Sequence, residues 1–183
     1  HNAKSKEELR QQIESKDWEN LLTKVPVKAG DFFYVPSGTM HAIGAGIMVL
    51  ETQQSSDTTY RVYDFDRKDD QGNLRELHLE KSIDVLTIGE PANSRPVTTK
   101  VDDLKSTLLV ASDFFAVYKW EISGKADFEK TADYSLFSVL DGQGSLLVDG
   151  QEYPIAKGSH FILPSDVQAW QIKGDLELIV SHP

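Results

Sequence analysis

The chain has 183 residues, and its 19 Lys plus Arg are outnumbered by 29 Asp plus Glu, which gives a formal net charge of -10. Binding to duplex nucleic acid or to an anionic membrane needs clustered cations, so this composition excludes a general nucleic-acid binder and argues against membrane adsorption. No cysteine is present, which excludes disulfides and thiolate metal ligands and fits a cytoplasmic protein.

The first predicted element is an amphipathic helix over residues 5–22. Ser5 and Glu8 stand at capping-box spacing, and the apolar residues that follow are separated by charged ones. We assign residues 1–23 to a peripheral helical segment. Because the chain starts at His1 directly before this helix, we expect either a tag remnant or a piece of a longer polypeptide.

From residue 25 onward, short β-branched and aromatic runs are separated by Gly, Pro, Asn and Asp, a texture that predicts a sandwich or barrel. A helix is expected around Leu79, Ile83 and Leu86, which share one helical face, and residues 89–106 are typical of a linker. Asp149-Gly150 predicts a type I′ hairpin turn. The predicted strands are 31–35, 47–52, 60–64, 107–111, 114–122, 136–140, 145–149, 160–163, 169–172 and 176–181.

A repeat organises this strand-rich part. A Gly, a Pro and a Ser recur at a constant offset of 128 residues, whereas a second Gly and a His occur only in the first copy. Chance similarity of two strand–turn–strand units is the alternative, but a duplicated β-barrel explains more. The first copy contains Gly30, Pro36, Ser37, Gly38 and His41, and the second has Gly158, Pro164, Ser165, Asp166 and Ala169.

The segment from Gly30 to His41 resembles the second sequence motif of the cupins, jelly-roll barrels that usually hold a metal at the barrel mouth. Pro36 ends a strand, Gly38 permits a tight turn, and His41 begins the returning strand with its imidazole directed inward. A buried core histidine is the alternative for His41. One histidine cannot hold a catalytic zinc, which normally takes three protein ligands, and the other four lack ligand spacing to it.

The stretch from Glu51 to Arg67 is similar to the C-terminal half of type I mannose-6-phosphate isomerases, particularly the short bacterial form, and the similarity extends along nearly the whole chain. In that family a Gln, two His and a Glu bind one zinc ion. The last histidine corresponds to His41, and the other ligands lie on strands earlier than any in this sequence. The resemblance therefore implies a first barrel without its N-terminal strands and few metal ligands in this chain.

The same resemblance implies roles for four further residues. Arg61 corresponds to the active-site arginine, Glu51 to an acidic residue ten positions earlier, and Asp57 to part of a Ser-Asp pair. Arg67 falls where other members carry a basic residue near the substrate. Aldose–ketose interconversion needs a base, an acid and a group that stabilises negative charge on oxygen, which these side chains can supply. The alternatives are turn or surface carboxylates for Glu51 and Asp57, a structural ion-pair arginine for Arg61, and an exposed cation beside neighbouring aspartates for Arg67.

The sequence thus predicts an all-β bicupin with minor helices. Residues 24–106 would form the C-terminal part of the metal-binding barrel plus a helix and linker, and 107–183 a second, metal-free barrel. The protein would interconvert mannose 6-phosphate and fructose 6-phosphate through an enediol(ate), with no activity in this chain alone. Its rivals are a non-enzymatic cupin that binds a sugar or serves as an interaction module, and an isomerase for another phosphosugar. The oligomeric state is left open.

Overall fold

The computed structural model describes residues 1–90 and 92–183, which divide into two compact units. Unit 1 comprises His1–Val49 and Ser55–Asn93, and unit 2 comprises Leu50–Gln54 and Ser94–Pro183. Pro91, in the predicted linker, lies outside the described residues. No helix within the described residues is long and apolar enough to cross a membrane.

The described residues of unit 1 form three helices: α1 (Lys6–Glu14), α2 (Trp18–Leu21) and α3 (Leu79–Val85). The Ser5 hydroxyl accepts a hydrogen bond from the Glu8 backbone N–H at 3.1 Å, as the capping spacing predicts. Lys16 has a φ of 56°, so the left-handed backbone at this residue divides the helix predicted over 5–22 into α1 and α2. The apolar faces of the three helices form one buried cluster that contains Leu9, Leu21 and Ile83.

A bidentate ion pair joins α1 to α3. Arg10 donates to the two carboxylate oxygens of Glu80 at 2.5 and 2.6 Å. This hydrogen bonding lowers the pKa of Glu80 below its ordinary value of 4.5. The pair is exposed to solvent, so it fixes the orientation of the helices more than it adds stability.

Unit 1 is expected to become less stable as the pH falls through the lowered pKa of Glu80. The pair contributes fully above the ordinary carboxyl pKa of 4.5, and its contribution disappears as Glu80 is protonated in the folded state. We would compare the thermal unfolding of the parent and of Glu80→Gln from about pH 7 to about pH 3. The parent should be slightly more stable at neutral pH, and the difference should vanish in acid; a difference that is constant with pH would contradict this account.

Three predicted strands are absent from the described structure: 31–35, 47–52 and 60–64. Residues 23–77 contain turns and one isolated antiparallel bridge, between Lys68 and Leu74. A strand needs a neighbour to pair its backbone N–H and C=O groups, and these runs have none among the described residues. Their apolar side chains remain exposed, as at Phe33, whose exposed fraction is 54%.

Unit 2 is an antiparallel sheet of seven strands, which confirms the predicted all-β character. Its order is β1-β2-β3-β7-β4-β5, and β6 pairs with β4. All of β1 and the first three residues of β2 lie in the stretch that we predicted as linker, where the Thr- and Val-rich run at 97–101 pairs with 104–108. The strands are β1 (Val97–Val101), β2 (Leu104–Ala111), β3 (Ala116–Glu129), β4 (Ser135–Val148), β5 (Gln151–Ala156), β6 (His160–Leu163) and β7 (Ala169–His182).

Three glycines face each other across the middle of the sheet. Gly124 in β3 pairs with Gly174 in β7, which pairs on its other side with Gly144 in β4. A Cβ atom on Gly174 would overlap the Gln143 carbonyl oxygen. We name these residues the glycine row; they let the backbones of β4 and β7 approach where a side chain would collide.

The core of unit 2 lies on the face formed by alternate residues of its long strands, with Ile172 and Leu178 fully buried. Aromatic rings fill much of this face. Trp120 stacks on Phe128 with ring centroids 4.3 Å apart, and Phe137 is 2% exposed. Such rings bury large apolar areas and stabilise the sheet strongly. The predicted Asp149-Gly150 turn is confirmed, since both residues have positive φ between β4 and β5.

Candidate functional site

The turn that precedes His41 has the geometry that its sequence predicts. Pro36 accepts a hydrogen bond from the Thr39 N–H at 3.1 Å, and Gly38 has a φ of 82°. A Cβ on Gly38 would lie 2.7 Å from the carbonyl oxygen of Val85 at the end of α3. The glycine is therefore required both by its backbone conformation and by its contact with this helix.

The predicted repeat is visible in backbone hydrogen bonds. Two turns of the first copy recur in the second at the same offset of 128 residues, with similar donor–acceptor distances. This agreement supports a common origin for the two segments, while the division of the chain into two barrels stays a prediction. The matching bonds are Asp31 to Lys28 (3.1 Å) with Ser159 to Ala156 (2.8 Å), and Thr39 to Pro36 (3.1 Å) with Val167 to Pro164 (3.2 Å).

His41 is exposed, in contrast to both the inward imidazole and the buried core histidine considered above. The strand that should carry it does not form among the described residues, so its side chain has no barrel interior to enter. Its Nδ1 lies 2.9 Å from the carbonyl oxygen of Thr39. If Nδ1 donates this hydrogen bond, Nε2 is the nitrogen available to a metal ion.

The residues at 1–90 and 92–183 include no group of three or more His, Asp or Glu side chains arranged to hold a metal ion. By themselves these residues do not fit a zinc ion, because one imidazole is too few ligands. His41 is thus one candidate ligand rather than a site.

Glu51 and Asp57 are both exposed, and neither carboxylate makes a hydrogen bond or ion pair with another part of the described chain. Glu51 belongs to unit 2 and Asp57 to unit 1. Each is therefore accessible to a ligand.

Arg61 is held more firmly than the other predicted residues. Its N–H donates to Nδ1 of His78 at 3.1 Å, and its carbonyl accepts from the His78 N–H at 2.7 Å. The guanidinium donates to the carbonyl of Glu76 at 3.2 Å, and the side chain is only 20% exposed. These contacts fix the position of the charge before any ligand binds.

Three arginines converge on Asp64, whose side chain is 16% exposed. Its Oδ1 lies 3.9 Å from Nε of Arg61, 3.2 Å from Nη2 of Arg67 and 3.6 Å from Nη1 of Arg75. We call Arg61, Arg67 and Arg75 the arginine cluster. The sequence prediction included the first two but missed Arg75 and the carboxylate that they share.

A tight turn brings Arg75 to the cluster. Asp69 accepts hydrogen bonds from the N–H groups of Gln71 and Asn73 at 2.9 and 2.8 Å, and Lys68 and Leu74 then form an antiparallel bridge. Bonding by the backbone and side chain of Asn73 lowers the pKa of Asp69, which keeps it an acceptor. The run Asp-Asp-Gln-Gly-Asn at 69–73 is a turn signal from which this return of the chain could have been predicted.

Comparisons with known proteins agree with this architecture. Residues 105–183 match the family described as mannose-6-phosphate isomerase, cupin domain. The mannose-6-phosphate isomerase of Streptococcus mutans is 65% identical over 182 residues, which cover 100% of this chain, and ManA of Bacillus subtilis is 49% identical. This chain is a homologue of the mannose-6-phosphate isomerases. The resemblance predicted from the stretch between Glu51 and Arg67 is confirmed.

The crystal structure of mannose 6-phosphate isomerase from B. subtilis superposes with a TM-score of 0.92 at 44% identity. It matches 100% of this chain and 59% of that protein, and the chain spans 58% of the length of the two isomerase sequences. The predicted cupin fold is confirmed for residues 105–183, and the first barrel stays a prediction. The roles of His41, Glu51, Asp57, Arg61 and Arg67 stay predictions.

Proposed function

We propose that this chain is part of a cytoplasmic, zinc-dependent mannose-6-phosphate isomerase that interconverts mannose 6-phosphate and fructose 6-phosphate. The observation that carries the proposal is the 65% identity to the S. mutans isomerase along the whole chain. Because the chain spans 58% of that relative, we assign the activity to an assembly that also includes the remaining part. The isolated chain is expected to be inactive.

The reaction moves a proton between C1 and C2 of the sugar through an enediol(ate). We assign Arg61 to the developing oxyanion, since its guanidinium is fixed beforehand by Glu76 and Asp64 and needs little reorganisation when charge appears. Glu51 and Asp57 are carboxylates without partners among the described residues, and we propose that they orient the substrate or transfer protons. Arg67 is proposed to contact the substrate phosphate.

His41 is proposed as one zinc ligand, through Nε2, with Thr39 orienting the ring. Zinc, when bound, would polarise or orient the sugar oxygens. The described residues do not complete a zinc site, so we assign the other ligands to the part of the isomerase that this chain does not span.

The proposal is tested by co-expressing the chain with the segment of the S. mutans isomerase that lies outside the match and measuring isomerisation of mannose 6-phosphate with added zinc. We expect activity in the pair, none in the chain alone, and a loss of about a hundredfold or more in the pair that carries His41→Ala. His160→Ala is the matched control, because His160 is also exposed and hydrogen-bonded through Nδ1, to Ser138.

An inactive pair that nevertheless binds zinc would refute the isomerase assignment. Activity of the isolated chain above the level of its His41→Ala variant would contradict the need for the additional segment. Equal losses in the His41 and His160 variants would remove His41 from the site.

A further inference from the structure

The arginine cluster is unusual for a chain with this charge. The protein has five arginines and a net charge of -10, yet three of the five surround one carboxylate. A structural ion pair needs only one guanidinium for each carboxylate, and placing three cations together costs mutual repulsion. The concentration of charge therefore calls for a ligand in addition to Asp64.

The contacts of Asp64 point the same way. All three guanidinium groups approach Oδ1, whereas the buried Oδ2 has no hydrogen-bond partner among the described residues. Guanidinium groups that served only to neutralise this carboxylate would satisfy both oxygens. Instead they share one oxygen and keep most of their N–H donors for another acceptor.

Arg67 and Arg75 are the accessible members of the cluster, with side chains 62% and 46% exposed. Arg67 makes one hydrogen bond, to Asp64, and Arg75 makes none with the described residues. The acidic residues next to these arginines in the sequence have other contacts: Asp66 is 3.8 Å from the Lys16 amine, and Glu76 is 3.8 Å from His78. The donors of these two arginines are thus free to bind an anion.

We propose that Arg67 and Arg75 form a clamp for the phosphate group of the substrate, and that Asp64 holds both side chains at fixed positions relative to Arg61. This inference rests on the proposed isomerase function and adds Arg75 to it. Three guanidinium charges and one carboxylate leave the cluster with two positive charges, which match the charge of about -1.5 to -2 on a phosphate monoester at neutral pH. Planar guanidinium forks also suit bidentate contact with phosphate oxygens.

The test is isothermal titration calorimetry of the purified 183-residue chain with inorganic phosphate at low ionic strength, without zinc or sugar. We expect the parent to bind phosphate and Arg75→Gln to bind it about tenfold more weakly, because one charge-assisted contact is lost. The matched control is Arg95→Gln, which removes the same charge from an exposed arginine outside the cluster and should change the affinity by less than about twofold.

Absence of phosphate binding by the parent, parental affinity in Arg75→Gln, or an equal loss in Arg95→Gln would each overturn the clamp. Circular dichroism checks that the variants are folded. If Arg75→Gln does not fold, Arg75→Lys decides: a severalfold loss supports the clamp, since lysine keeps the charge without the fork, and parental affinity refutes it.

Failure of this proposal is distinguishable from failure of the isomerase assignment. If phosphate binding depends on Arg75 but the co-expressed pair is inactive, the clamp is supported and the isomerase function is contradicted. If the pair isomerises mannose 6-phosphate and Arg75→Gln leaves KM unchanged, the isomerase function is supported and the clamp is refuted.

Discussion

Replacement of Gly174 by alanine is expected to reduce the free energy of unfolding of unit 2 by about 3–5 kcal/mol. Two costs combine at this residue. Its φ of 131° is a conformation that residues with a Cβ rarely adopt, and the added Cβ would overlap the Gln143 carbonyl oxygen and come within 2.7 Å of Gly144 Cα. Urea unfolding followed by tryptophan fluorescence measures the effect, in a Trp18→Phe background so that the remaining tryptophans report on unit 2.

Alanine variants of two other glycines measure the backbone cost and the steric cost separately. Gly150 has a φ of 78° but open space where a Cβ would be added, so Gly150→Ala should cost only about 1–2 kcal/mol. Gly144 has no positive φ, but its Cβ would overlap the Lys173 carbonyl oxygen, so Gly144→Ala reports the close approach of β4 and β7 alone. A Gly174→Ala variant no less stable than Gly150→Ala would show that the strands do not approach so closely.

Arg61→Lys is expected to lower kcat/KM of the co-expressed isomerase by about a hundredfold to a thousandfold. Lysine keeps the positive charge but lacks the planar fork that lets Arg61 contact the Glu76 carbonyl and Asp64 at once, so the charge is no longer fixed where the oxyanion develops. The measurement is steady-state isomerisation of mannose 6-phosphate, with Arg95→Lys as the control outside the cluster.

The two kinetic constants distinguish the roles of Arg61. A loss in kcat matches stabilisation of the transition state, whereas a change confined to KM would make Arg61 a binding residue only. Parental kcat/KM in Arg61→Lys would exclude it from both roles.

The sheet of unit 2 was largely predictable from the sequence, and the two strands that were wrongly divided, β4 and β7, share one cause. Residues 136–140 and 145–149 are predicted as separate strands because Gly142 and Gly144 are turn formers, but both lie within β4. The same happens at Gly174 in β7. Glycine marks either a turn or a close approach of two backbones, and only the partner strand shows which applies.

The opposite error occurred in unit 1. The alternation of Phe33 and Val35 with other residues is a valid strand pattern, yet residues 31–35 do not form a strand in the described structure. Alternation in the sequence shows only which side chains of one segment would lie on the same face. Strand formation also needs the hydrogen-bonding partner, which a local pattern cannot supply.

The site was predicted in part. Arg61 and Arg67 follow from the similarity to the isomerases, and both contact Asp64. Arg75 was missed because it reaches Asp64 only through the turn at 69–73, so its role depends on the path of the chain and not on spacing alone. A search for turn signals between like-charged residues would have suggested it.

The position of β7 in the sheet determines when unit 2 can fold during translation. β7 pairs with β3 over residues 116–129 and with β4 over residues 136–148, and it separates these two strands in the sheet. It also follows every other strand of the unit in the sequence. Nascent chains that have not reached Ala169 therefore lack the strand that joins β3 to β4, so the sheet can close only in a late, non-local step.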